Sequence, residues 1–139
     1  MAVTQIEHFL LLSDDIDATR DFYGRALGLT AGARPALAFP GYWLYAGERP
    51  LVHIADRSSY NAHAASIGLG AAADGDARID HVAFAASDFE EAAERLERGG
   101  VVAMRNAPAP GLRQLFFSDP DGVRIEVNVF APETSVGAE

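Results

Sequence analysis

The sequence predicts an α+β protein made of two βαβββ modules, and two observations support this prediction. First, segments 5–13 ("QIEHFLLLS") and 78–86 ("RIDHVAFAA") share the pattern Ile-acid-His-apolar. Second, the gapless shift that places His8 on His81, called the repeat shift below, also aligns the two helix-like segments that follow and the turn segments "AGERP" and "DPDGV". Two copies of one strand–helix–strand unit indicate paired modules within one domain rather than a solenoid.

Length, composition and charge limit the classes of partner. A chain of 139 residues with 49% apolar side chains is long and apolar enough to form a folded core. The net charge of −9 comes from 20 acidic and 11 basic residues, and the sequence has no basic stripe for a nucleic acid or an anionic membrane. We therefore expect neither a nucleic acid nor a membrane as partner.

The absence of cysteine excludes disulfides, thiolate nucleophiles and cysteine-based zinc sites. The N-terminal segment "MAVTQIEHFLLLSDD" has no basic region and only a short apolar run, which is not the pattern of a signal peptide. No segment approaches the roughly 20 apolar residues that a membrane-spanning helix needs. These features predict a cytoplasmic protein.

The first module is predicted over residues 1–57. It begins with the strand-like "IEHFLLL", after which Asp14 or Asp15 is expected to cap a helix over 16–27 that ends at Gly28. Alternating or apolar character then predicts extended runs, each bounded by turn residues. These runs are "ALAF" (36–39), "YWLYAG" (42–47) and "PLVHIAD" (50–56).

The second module is predicted over residues 78–131, after a Gly- and Ala-rich connection at 58–77 that is expected to contain a short helix near 60–66. Ser87 or Asp88 caps its helix, which Gly99 and Gly100 end. The remaining residues, 132–139, are expected to form a frayed tail. The extended runs of this module are "VVAMRN" (101–106), "RQLFFSD" (113–119) and "VRIEVNVF" (123–130).

Four side chains of metal-ligand type occupy equivalent positions in the two modules. The repeat shift converts the pair in the first module into the pair in the second, and strand alternation places all four on the face opposite to the helix. A single strand histidine is more often a hydrogen-bonded core residue, so the repeat is what favours a metal site. The fourth histidine, His63, has no repeat partner and is expected at the surface. The ligand candidates are His8, His53, His81 and Glu126.

Three imidazoles and one carboxylate suit Fe, Mn, Co, Ni or Zn and leave about two positions of a six-coordinate ion for substrate, water or O₂. If one residue stands off, a 2-His-1-carboxylate triad remains, the arrangement that non-haem iron oxygenases use. His53 is either a ligand or an acid/base beside the metal, and Glu126 either holds the metal or also moves a proton. Both are therefore candidate catalytic residues.

The chain resembles the vicinal oxygen chelate superfamily, which includes glyoxalase I, extradiol dioxygenases, fosfomycin-resistance enzymes and bleomycin-binding proteins. The resemblance lies in "IEHFLLLSDDIDATRDFYGRALGL", "IDHVAFAASDFEEAAERL" and "FFSDPDGVRIEV", and it covers about residues 3–130. It implies that the two modules form a half-open barrel around a divalent metal, with the ligand positions on the four residues named above. It also implies a small-molecule substrate and a homodimer, in which the site lies within one chain or across two.

Three functions are compatible with this resemblance. The first expectation is an extradiol-type dioxygenase with Fe²⁺, and Ni²⁺, Zn²⁺, Co²⁺ or Mn²⁺ are alternative metals. The second is a glyoxalase I-like lyase or isomerase. Against it, His53 stands at the position that a glutamate occupies in the pattern of bacterial glyoxalase I, and no clamp for the glutathione carboxylates is evident. The third is a metal-free binding or resistance protein. The candidate substrate-binding residues are Trp43, Tyr45, Phe116, Arg124 and Asn128.

Overall fold

A computed structural model describes residues 5–69, 79 and 81–131 of the chain. The chain divides into two compact units, Met1–Arg78 and Ile79–Glu139. Each unit has a four-stranded mixed sheet and a helix that follows its first strand, which confirms the predicted α+β class and the two βαβββ modules. None of the helices in the described ranges is long and apolar enough to cross a membrane.

The first unit has four strands and two helices. They are β1 (Phe9–Ser13), α1 (Ile16–Leu27), β2 (Thr30–Gly32), β3 (Gly41–Ala46), β4 (Arg49–Asp56) and α2 (Arg57–Ser66). The strand order is β1-β4-β3-β2, with β1 parallel to β4 and the other pairs antiparallel. Strand β4 therefore has a neighbour on each side.

Helix α1 begins and ends at the residues that the sequence indicates. The Asp15 carboxylate accepts a hydrogen bond from the amide N–H of Ala18, and Gly28 ends the helix at a φ of 73°, in the left-handed region that glycine tolerates best. The apolar stripe of α1 buries Phe22, Tyr23 and Ala26. These side chains cover one face of the sheet and leave the opposite face of β4, which carries His53, for other contacts.

The second unit repeats this plan. Its elements are β5 (Val82–Ala85), α3 (Phe89–Arg98), β6 (Met104–Ala109), β7 (Leu112–Ser118) and β8 (Arg124–Phe130). The strand order is β5-β8-β7-β6, with β5 parallel to β8 and the other pairs antiparallel. The carboxylate of Asp88 caps α3 through the amide N–H of Glu91.

The strand register reproduces the repeat shift. Leu10 pairs with His53 in the first unit, and Ala83 pairs with Glu126 in the second. On the other side of the same strands, Trp43 pairs with His53 and Phe116 with Glu126. The sequence repeat is therefore also a repeat of backbone hydrogen bonding, and it gives His53 and Glu126 equivalent places in the two sheets.

Strand β2 lies elsewhere than predicted. The segment 36–39 was expected to be extended, but the strand is Thr30–Gly32, which pairs with β3. Residues 33–40 instead form a loop, in which the Arg34 guanidinium donates to the carbonyl oxygen of Phe39 at 2.7 Å. The ring of Phe39 packs against Tyr60 of α2, with centroids 5.1 Å apart, so this segment is held by the helix rather than by a sheet.

Four further elements begin at other residues than predicted. Strand β6 starts at Met104 rather than at 101, because the amide N–H of Val101 bonds back to the carbonyl of Leu96 and closes the end of α3. Helix α2 begins at Arg57 and is longer than the predicted 60–66. His8 and His81 each lie one residue before their strand. The predicted tail and residues 70–77 of the predicted connection lie outside the described residues.

Candidate functional site

His53 lies at the centre of a stack of three rings in the first unit. Its imidazole is nearly parallel to the imidazole of His8, with centroids 3.8 Å apart, and to the indole of Trp43, with centroids 4.0 Å apart. Strands β1 and β3 flank β4 on opposite sides, so His8 and Trp43 cover opposite faces of the His53 ring. This stack fixes the ring plane of His53 and covers both faces of the ring.

The two ring nitrogens of His53 have different environments. Nε2 is buried and has no hydrogen-bond partner among the described residues. The backbone carbonyl of Pro50 acts on the imidazole as a hydrogen-bond acceptor, which opposes the effect of burial on its pKa. Burial, followed by the nearby His8, lowers the pKa of His53, which favours the neutral imidazole that a metal or a proton requires.

His8 is more exposed than His53, and its Nδ1 lies 2.9 Å from the Glu7 carboxylate. The lone pairs of two stacked imidazoles lie in two nearly parallel planes, whereas two ligands of one ion direct their lone pairs to a common point. Joint binding of an ion by these histidines therefore requires one ring to leave the stack. His8 is the one free to turn, because it precedes β1, while His53 lies within the central strand.

The second unit brings His81 and Glu126 together. His81 Nε2 lies 3.2 Å from Glu126 Oε1, and the Glu126 side chain is buried, with the residue 9% exposed. Neighbouring ligands of an octahedral ion with bonds of about 2.1 Å stand roughly 3.0 Å apart. The 3.2 Å contact is an ion pair when His81 is protonated, and it is also close to the separation of two ligands of one ion. The imidazole nitrogen and the carboxylate oxygen are both donors that divalent metals accept.

Gln114 of β7 holds the second oxygen of Glu126. Its amide nitrogen donates to Glu126 Oε2 at 3.2 Å and to Asn128 Oδ1 at 3.0 Å, while its own oxygen accepts from Asn106 at 2.9 Å. Sequence reasoning missed Gln114 and Asn106. The available signal was the polar Gln114 two residues before Phe116 on a strand whose neighbour carries Glu126 and Asn128.

The other predicted substrate-binding residues have varied surroundings. Phe116 is half-buried and lies opposite Glu126 in the sheet, as Trp43 lies opposite His53. Tyr45 donates its hydroxyl to the carbonyl of Ala33 at 2.6 Å, which ties it to the loop after β2. Arg124 is exposed at the start of β8, two residues before Glu126.

The four predicted ligands form two pairs, His8 with His53 and His81 with Glu126, one pair in each unit. Within the ranges that the structure describes, no three His, Asp or Glu side chains are grouped closely enough to hold a metal ion. Each pair by itself offers donors of the required chemistry. Nε2 of His53 is buried without a hydrogen-bond partner among the described residues, as are Arg34 Nε and Asn61 Oδ1, and it is the one of the three that is a metal-ligand type.

Comparison with known proteins gives a consistent family. Residues 5–127 match the Glyoxalase/Bleomycin resistance protein/Dioxygenase superfamily. A curated relative from Arabidopsis thaliana, "Glyoxylase I 4", is 26% identical over 129 residues, which cover 90% of this chain and 70% of that protein.

Solved structures show the same fold. The lactoylglutathione lyase from Agrobacterium tumefaciens is similar with a TM-score of 0.66 and 20% identity, over 93% of this chain and 96% of that chain. TnmS3, an antibiotic binding protein from Streptomyces sp. CB03234, is similar with a TM-score of 0.66 and 20% identity, over 94% of this chain and 99% of that chain. At these identities the likeness concerns the fold alone, because one fold hosts both a lyase and a binding protein.

Proposed function

Since the chain belongs to the glyoxalase/bleomycin resistance protein/dioxygenase superfamily, we propose that it is a divalent-metal-dependent enzyme acting on a small substrate that chelates the metal through two oxygens. The observation that carries this proposal is the ring atom Nε2 of His53, which is buried and without a hydrogen-bond partner among the described residues. The pairing of His81 with Glu126 supports it independently. The proposed ligands are His8, His53, His81 and Glu126.

Within this proposal, the reaction that the residues favour is extradiol-type cleavage of an aromatic diol. Oε2 of Glu126 accepts from Gln114, and Oε1, which lies beside His81, is proposed to bind the metal. The second unit therefore offers no free glutamate at this position to remove a proton from carbon, as a glyoxalase-type reaction needs. Three nitrogen donors and one carboxylate suit Fe²⁺, which would supply O₂ activation when bound.

The side chains beside the proposed ligands suit a flat, apolar substrate. Trp43 and Phe116 are half-buried and each lies directly across the sheet from a proposed ligand. Aromatic rings in such positions stack on aromatic substrates and exclude water from them. Asn128 and Arg124, on the same face of β8 as Glu126, are proposed to contact polar groups of the substrate.

The test of this proposal is oxygen consumption by protein loaded with Fe²⁺ under anaerobic conditions and then mixed with aerated catechols. We expect O₂ uptake with at least one member of a panel of substituted catechols, accompanied by the yellow ring-opened product. Protein loaded with Zn²⁺ is the control and should give none, since Zn²⁺ has no redox chemistry. Failure of every catechol with the Fe²⁺ protein would remove the dioxygenase assignment.

A glyoxalase-like lyase or isomerase is the second candidate, and it is favoured by the name of the Arabidopsis relative. In that reaction His53 would move the proton, because its Nε2 has no hydrogen-bond partner among the described residues. The same protein loaded with Ni²⁺ or Zn²⁺ would then convert a methylglyoxal–thiol adduct without oxygen. Tight ligand binding without turnover or metal would instead indicate a binding or resistance protein.

Assembly and location belong to the same proposal. The superfamily resemblance supports a homodimer, and the absence of cysteine agrees with a cytoplasmic location.

A further inference from the structure

The two units differ in one pair of residues that lies two positions along the strands from His53 and from Glu126. Gly41 pairs with Ala55 in the first unit, and the repeat shift turns this pair into Gln114 and Asn128 in the second. A Cβ added to Gly41 would collide with the carbonyl oxygen of Ile54, so the first unit excludes a side chain at this position. The amide therefore occurs only in the unit where the ligand is a carboxylate.

The orientation of the Gln114 amide follows from the chemistry of Glu126. An ionised carboxylate only accepts hydrogen bonds, so Gln114 must direct its NH₂ group, and not its oxygen, towards Glu126. The second N–H then reaches the oxygen of Asn128, and the Gln114 oxygen accepts from Asn106. The three contacts use the two N–H groups and the oxygen of the Gln114 side chain. All three are satisfied by the same orientation of the amide.

Gln114 also divides the two oxygens of Glu126 between different partners. Oε2 is held by Gln114, and Oε1 points to His81, which is a proposed ligand. A carboxylate held in this way would offer one oxygen to a divalent metal and could not turn both oxygens to it. The bond from Asn106 in turn restrains the side chain of Gln114.

We propose that Gln114 is the positioning residue of Glu126: it holds Oε2 so that Oε1 alone is presented for metal binding beside His81. This inference rests on the proposed function for the presence of the metal. It assigns Gln114 no contact with substrate or metal, and its effect passes through the carboxylate.

The experiment compares Gln114→Met with Ser118→Ala, a control on the same face of the same strand. Each protein is prepared without metal and titrated with Co²⁺, which binds the same nitrogen and oxygen donors, by calorimetry and visible absorbance. We expect Gln114→Met to raise the Kd for Co²⁺ about tenfold and to alter the absorbance spectrum of the bound ion, with little change in Tm. Ser118→Ala should match the wild type in all three measurements. An unchanged Kd and spectrum in folded Gln114→Met would overturn the proposal.

A second measurement keeps this inference separate from the proposed function. In metal-free protein, the side-chain amide resonances of Gln114 are followed by ¹⁵N–¹H NMR in the wild type and in Glu126→Gln. We expect these resonances to move more than those of Gln5 and Asn61, because the substitution removes the charged acceptor. If the wild type binds no Co²⁺, the proposed metal function fails while this shift still supports the positioning role. Gln114 resonances that stay in place would contradict that role whether or not metal binds.

Discussion

Glu126→Gln is expected to weaken the binding of divalent metal by at least about 100-fold and to reduce turnover to background, because losing a ligand costs more than losing a residue that orients one. The substitution keeps the shape of the side chain but removes the charge and replaces one oxygen with an NH₂ group that cannot bind a metal. Calorimetric titration of metal-free protein with Fe²⁺ or Co²⁺ measures the affinity, and Tm reports whether the fold is retained.

Glu90→Gln provides the matched control for this result. Glu90 is an exposed carboxylate of the same unit, where it accepts from the Arg113 guanidinium at 3.2 Å. An exposed pair of this kind contributes little to stability, so Glu90→Gln should bind metal as the wild type does. Equal affinities of the Glu126 and Glu90 variants would show that Glu126 is a structural residue rather than a ligand.

Gly41→Ala is expected to destabilise the protein by about 3 kcal/mol, because the new Cβ would overlap the carbonyl oxygen of Ile54 and force β3 away from β4. Strand β3 carries Trp43, so the same displacement would also disturb the ring stack on His53. Urea denaturation measures the change in the free energy of unfolding, and the fluorescence of Trp43, the only tryptophan, reports the stack.

Gly47→Ala separates this steric effect from the general cost of replacing a glycine. Gly47 has a φ of 61° and nothing lies within 4 Å of an added Cβ, so its substitution should cost only about 1 kcal/mol through backbone strain. If both variants lost the same stability, the close approach of Gly41 to β4 would be disproved.

The repeat made much of the fold predictable from the sequence. The repeat shift identified both modules, and the register of His53 and Glu126 with their neighbours follows that shift. The ends of α1 were predictable because Asp15 and Gly28 act through local backbone chemistry.

The parts that were wrong depend on contacts distant in sequence. The segment 36–39 has the composition of a strand, but Phe39 packs on Tyr60 of α2, and a sequence pattern gives no information about that contact. Strand β6 starts later than predicted because the amide N–H of Val101 donates to the carbonyl of Leu96 at the end of α3. In both cases a local propensity was overridden by tertiary or capping interactions.

The candidate site was predictable as a set of residues but not as an arrangement. Strand alternation and the repeat identified His53 and Glu126, yet neither could show that Trp43 stacks on His53 or that Gln114 holds Glu126. Such contacts depend on side-chain rotamers and on the partner strand, which alternation alone does not fix. The reaction depends on still finer features of the pocket, since this fold supports several chemistries.

The metal content of the protein tests the central claim most directly. The protein is expressed in medium containing iron, zinc, nickel and cobalt, purified without chelator, and measured by elemental analysis beside His81→Ala. We predict about one transition-metal ion for each set of the four proposed ligands, with iron the most abundant metal. His81→Ala should contain much less metal than the wild type. Protein that contains no transition metal, and binds none when Fe²⁺ or Co²⁺ is added afterwards, would contradict the claim.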